Sequence, residues 1–125
     1  MIIADYLSKQ YQNPPCWMLV SDVYANEMDV EVREFKTITD SIREIAETFR
    51  IALYKGEHGF RQIEEPVDFC VILMGKSLHK NPTHAGIYYD GGVLHATMQN
   101  GVLYEPIHTI KDAFKRVEYW QHGNN

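Results

Sequence analysis

Cys16 follows a Gln12-Asn13-Pro14-Pro15 break and opens a stretch, through about Glu27, whose apolar residues recur at helical spacing. A thiol in the first turn of a helix sits where unpaired N–H groups and the helix dipole favour negative charge. The thiolate is the reactive form of cysteine, and such surroundings with an assisting histidine bring its pKa from about 8.5 to well below 7. An inert buried cysteine fits the same position about as well. His84 and His95 are the partners a reactive thiol would need. His84 opens an apolar stretch that reads as a strand, His95 lies on the returning strand, and Asp90-Gly91-Gly92 between them is a tight hairpin turn. The turn sets the two histidines a pair or so out of direct register, within reach of each other if they share a face. A nucleophile, an imidazole and a polar group that orients the imidazole make up a cysteine peptidase. Either histidine alone reads more simply as a surface or half-buried residue of a meander.

Cys16, His84 and His95 are also soft-donor ligands of the kind zinc takes. Three ligands scattered singly lack the closely spaced pair most zinc sites use, so neither a metal nor an organic cofactor is expected. Cys70 lies inside the apolar run Phe69 to Met74 and reads as an inert core residue, and two free thiols are expected rather than a bridge. His58, His79, His108 and His122 fall in predicted loops, turns or the tail and read as solvated.

The elements that must position these residues follow from the change of period along the chain. Ile2 to Leu7 is a short apolar start with helical character. Asn13 suits an N-cap and Pro14 the first helical position. In the helix from Cys16 to Glu27, Trp17, Val20 and Tyr24 mark the apolar face. Thr39 to Ile51 reads as a second helix, capped by Thr39 or Asp40 and lined by Ile42, Ile45, Ala46 and Phe49. Beyond it the pattern is that of strands: the continuous run Phe69 to Met74, then His84 to Tyr89, Val93 to Gln99, and Val102 to Glu105 after the Asn100-Gly101 turn. Ile107 to Phe114 reads as a short helix or turn, Arg116 to Trp120 as a last strand, and residues 121–125 as a frayed tail. Helices followed by an antiparallel meander make an α+β domain.

A chain of 125 residues, 45% hydrophobic, fits one domain spanning 1–125 that buries a core without disulfide staples. A net charge of −5 argues against a general nucleic-acid binder. No apolar run approaches the roughly 20 residues needed to span a bilayer, so membrane insertion is not expected. The first ten residues lack the pattern of a secretion signal, and synthesis in the cytoplasm is expected.

Three segments carry a resemblance to a known family. Tyr11-Gln12-Asn13-Pro14-Pro15-Cys16-Trp17-Met18-Leu19-Val20-Ser21-Asp22-Val23-Tyr24 resembles the nucleophile helix of NlpC-type peptidases, above all their phage-tail branch. The segment from His84 to Ala96 resembles that family's histidine strand and hairpin, and Pro66 to Met74 the strand before it. The likeness runs from about Tyr6 to Tyr119. It implies a papain-like fold, Cys16 as nucleophile, His84 as general base and His95 as the orienting third residue. It implies that Tyr11 lies near the nucleophile, with Tyr11 and Trp17 as substrate or oxyanion contacts. It also implies cleavage of amide bonds in peptidoglycan stem peptides, other phage tail proteins as partners, and a place in or beside a phage tail at the cell wall. Two positions depart from the family pattern. Pro15 stands where Asp is usual, and Met18 stands where Gly is usual. Pro15 removes a backbone N–H beside the thiol. The departures keep open a second reading, a structural tail component with the same fold and little or no activity.

Overall fold

The structure, a computed structural model, describes residues 1–12, 14–32 and 42–123. Its elements are α1 (Ala4–Leu7), α2 (Pro15–Met28), α3 (Ile42–Phe49) continued by one π-helical turn (Arg50–Tyr54), β1 (Phe60–Ile63), β2 (Val71–Gly75), β3 (His84–Tyr89), β4 (Gly92–Thr97), β5 (Gly101–Pro106), α4 (Ile107–Ala113) and β6 (Arg116–His122). The fold is α+β, with one six-stranded sheet in the order β1-β6-β2-β3-β4-β5, every neighbouring pair antiparallel.

Helix α2 starts one residue later than the expected cap and first position: Pro14, expected as the first helical residue, is the N-cap, and Pro15 is the first helical residue, where a missing N–H leaves nothing unsatisfied. Asn13, expected as the cap, lies outside the described residues, as do Thr39 and Asp40, the expected caps of the second helix. The helix ends at Asp29, which takes a left-handed conformation (φ 52°), and the next residue, Val30, donates its N–H to the Tyr24 carbonyl at 3.1 Å.

Strand β2 is buried along its whole length because both of its faces are covered. Val71 and Leu73 join Trp17, Leu19, Val20, Val23 and Tyr24 of α2 in one core. Ile72 and Met74 point the other way, into a smaller core closed by Ile110 of α4 and by Tyr119. A continuous apolar run is what such a two-sided strand requires.

The meander covers only β2 to β5. Strand β6 returns across the sheet to the free edge of β2, pairing Ile72 with Tyr119, and itself carries β1 on its far side. It continues past Trp120 through Gln121 and His122, so these are not frayed. Gln121 is buried, and the His122 ring packs on Phe60 at 5.0 Å and on Tyr24 at 6.0 Å. Residues 124–125 lie outside the described part. The β3–β4 connection is a two-residue turn with Asp90 and Gly91 both left-handed (φ 48° and 82°), the geometry that matches the twist of the strands it joins. No helix among the described residues is long and apolar enough to cross a membrane.

Candidate active site

The β3–β4 register places His95 opposite Gly86, with His84 one step away along the same face. The missing side chain at Gly86 is what lets the rings meet. A Cβ there would come within 2.8 Å of the Leu94 carbonyl and of Val93 Cγ1, and 3.1 Å from His95 Cβ. Across this gap His84 Nε2 lies 2.8 Å from His95 Nδ1, a hydrogen bond between the two imidazoles. Their planes are nearly perpendicular, and the far side of the His84 ring stacks on Phe114, centroids 6.1 Å apart and planes 24° apart. Ring orientation is therefore held from two sides.

Cys16 enters from α2, in the first helical turn. It lines a cavity of about 170 Å³ together with His84, Pro15, Ile45, Thr83 and Thr97. Because His84 Nε2 is taken by His95, the ring's other nitrogen, Nδ1, is the one a further partner would meet. Only one tautomer arrangement leaves that nitrogen a lone pair: His84 donates its Nε2–H to His95 Nδ1, and His95 carries its own proton on Nε2. His95 Nε2 is buried, has no hydrogen-bond partner among the described residues, and faces the Glu105 carboxylate at 3.7 Å. A carboxylate on that side favours a proton on Nε2 and so favours this arrangement of the two rings.

Glu105 was not among the residues singled out from the sequence. The β4–β5 ladder brings it in, by pairing His95 with Leu103 and Val93 with Glu105. The signal was the two-residue step from Leu103 to Glu105 on a strand adjacent to His95, which requires the register to read.

Both ends of the pair are neutral at rest. Burial pushes the Cys16 thiol up to about 11, against the backbone N–H groups of Ala85, Trp17 and Cys16 itself, which pull it down. Burial, with His95 beside it, lowers His84 to about 3. His95 is also lowered by burial, with Glu105 opposing. The helix N-terminus thus does not produce a standing thiolate. Desolvation of a wholly buried sulfur outweighs the few N–H groups aimed at it.

This protonation pattern has a consequence for stability. The unfolded chain binds a proton at an exposed histidine near pH 6.5. The folded chain holds His84 unprotonated down to about pH 3. Between these values the unfolded state binds more protons, so stability is full above pH 6.5 and is lost progressively as the pH falls toward 3. The thermal midpoint is expected to be lower at pH 4.5 than at pH 7.5, with a shallower dependence in His84→Gln. A wild-type midpoint that rises on acidification would contradict the burial of this imidazole.

Trp17 does not line the cavity. It is fully buried in the core and packs on Phe49, with ring centroids 6.1 Å apart. Tyr11 lies in an adjoining groove on the far side of Pro15. Its hydroxyl donates to Asp22 Oδ2 at 2.6 Å, an oxygen that also holds Lys9 Nζ at 2.8 Å. Met18 does not line the cavity, whereas Pro15 forms part of its wall. Cys70 is buried in the smaller core and both cysteines are free. Compared with known proteins, the chain matches no family model and no curated sequence.

Proposed function

We propose that this chain is a cysteine hydrolase of amide bonds, built on an NlpC-type papain-like fold, that acts on peptidoglycan stem peptides in or beside a phage tail. The observation that carries the chemistry is the shared cavity of Cys16 and His84, with His84 Nε2 held by His95 at 2.8 Å. The wall substrate and the phage tail rest on the resemblance of residues 11–24 and 84–96 to that family.

In this reading the Cys16 sulfur attacks the amide carbonyl carbon while its proton passes to His84 Nδ1. His95, backed by the Glu105 carboxylate, stabilises the imidazolium that forms. The Cys16 N–H, in the first helical turn and without an intrahelical acceptor, supports the oxyanion. Collapse breaks the C–N bond, His84 returns the proton to the leaving amine, and a thioester remains. Water, deprotonated by His84, then releases the acid and the thiol. Because the resting pair is neutral, the base works during attack and not from a preformed ion pair.

The protonation at rest also favours a second reading. A thiol held near 11, an imidazole near 3, and Pro15 before the nucleophile suit a tail component that keeps the fold without the activity.

Alkylation by a small haloacetamide separates the two without a guess at the substrate. Cys70 is the internal control, because burial also raises it to about 11 and it has no imidazole beside it. If His84 acts as base, wild-type Cys16 reacts at a nearly pH-independent rate between pH 5 and 8. In His84→Ala its rate drops about tenfold per pH unit below the thiol pKa, as for Cys70. Identical profiles in wild type and variant would remove the catalytic assignment and leave the structural component.

A further inference from the structure

A cleft of about 720 Å³ lies on the other side of Thr83 from the Cys16 cavity, and Thr83 lines both. Its wall on one side is α3, which turns Ile45 toward the cysteine and Ala46 toward the cleft. On the other side is the loop between β2 and β3. The two walls bring together Arg43, Arg50, Lys76 and Lys80, on a chain whose net charge is −5. Among the described residues that line the cleft, one carboxylate opposes them: Glu47, held by Arg50 through contacts of 2.9 and 2.5 Å. Arg43, Lys76 and Lys80 have no ion-pair partner among the described residues.

The cleft is braced from below. Glu118 accepts hydrogen bonds from Tyr54 Oη at 2.8 Å, Arg116 Nε at 2.7 Å and Trp120 Nε1 at 3.1 Å. Arg116 Nη1 in turn donates to the Lys80 carbonyl at 2.7 Å, and the Thr83 N–H to the Met74 carbonyl at 3.1 Å. The loop that presents Lys76 and Lys80 is therefore tied to the sheet at both ends. A cleft of this size, with its cations presented from fixed walls, has the form of a ligand site.

We infer that this cleft binds an acidic peptide segment carrying two or more carboxylates, continuous with the amide that Cys16 attacks. The direction of that segment rests on the hydrolase reading above; the charge of the cleft does not. The cations are spread along two walls, which suits carboxylates spaced along a peptide, and Tyr54 and Ala46 give the backbone and aliphatic carbons a surface to lie on. The overall negative charge of the chain disfavours a long polyphosphate tracking across it.

The test uses the full chain carrying Cys16→Ala, so that no probe is consumed, with binding followed by titration calorimetry or amide shifts. Capped tetraglutamate is expected to bind at least tenfold more tightly than capped tetraglutamine at low salt, and to lose that margin in high salt. Adding Lys76→Glu and Lys80→Glu is expected to weaken tetraglutamate binding by about tenfold, since each exposed ion pair contributes a few-fold. Both positions are exposed, so the thermal midpoint should stay put, and Lys76→Gln with Lys80→Gln should give an intermediate loss. Equal affinity for the two peptides, or an unchanged affinity in the charge-reversed variant, would overturn the inference. Tighter binding of pentathymidylate than of tetraglutamate would overturn it in favour of nucleic acid. Acid-soluble stem-peptide fragments from purified cell walls form a second arm. Binding there at or above the tetraglutamate affinity would identify the wall as the source of the carboxylates, and weaker binding would point to a protein segment. If the alkylation profiles show no role for His84 while tetraglutamate still binds, the hydrolase reading falls and the site stands.

Discussion

Replacing Cys16 by Ala is expected to abolish amide cleavage, by about 10⁴-fold or more, while the protein stays folded. Loss of the nucleophile removes the covalent route entirely, and what remains is positioning and oxyanion support. The appropriate measurement is release of new amino groups from purified peptidoglycan, with a thermal melt of the same preparation. The side chain is small and buried, so truncating it removes one sulfur's worth of packing, about 1 kcal/mol. Cys16→Ser is expected to be nearly as inactive, because a neutral imidazole lowered to about 3 is a weaker base than a hydroxyl requires. Cleavage by Cys16→Ala within a few-fold of wild type would remove this cysteine from the chemistry. Walls left intact by wild type and variant alike, with unchanged phage assembly and infectivity in the variant, would favour the structural component.

Trp17 has the other large expected effect, and it is on stability. Its indole is wholly buried, at the centre of the core that joins α2 to Phe49 and to the sheet. Trp17→Ala is expected to destabilise by about 3–5 kcal/mol, the usual range for removing a large aromatic from a core. Against a typical total of about 5–15 kcal/mol this is a major fraction. For a domain of this length it lowers the midpoint on the order of 10–20 °C. Urea unfolding, followed by the remaining Trp120 fluorescence and by circular dichroism, reads the change directly. Trp17→Phe is expected to lose well under half as much. Activity should follow the folded fraction in both variants. A stability change below about 0.5 kcal/mol, or a selective loss of turnover in a fully folded Trp17→Phe, would instead give this residue a role at the substrate.

What was legible in the sequence was local. The Pro-Pro-Cys junction and the 3.6-residue recurrence of Trp17, Val20 and Tyr24 define α2, because capping and periodicity act within a few residues. The unbroken apolar run Val71 to Met74 marks a strand covered on both faces. The Asp90–Gly91 turn determines the β3–β4 register, and with it the approach of His84 to His95. Strand β1 escaped notice because only Phe60 of its four residues is buried, so Phe60–Ile63 shows no alternation.

The tertiary structure decided what depends on distant pairing and on exclusion of water. Strand β6 lies between β1 and β2 because β2 exposes an unpaired edge that the meander cannot cover, which is a long-range matter that no window of sequence reports. Packing of α2 on the sheet buries the Cys16 sulfur, and desolvation then overrides the charge preference that helix position alone suggests. The same packing turns Trp17 into core and gives the Tyr11 hydroxyl to Asp22. Glu105 reaches His95, and four cations meet beside Thr83, only because strands and loops far apart in the chain are neighbours in the fold. Residue type and spacing determine which chemistry is available; burial and register determine which protons and charges are in place to perform it.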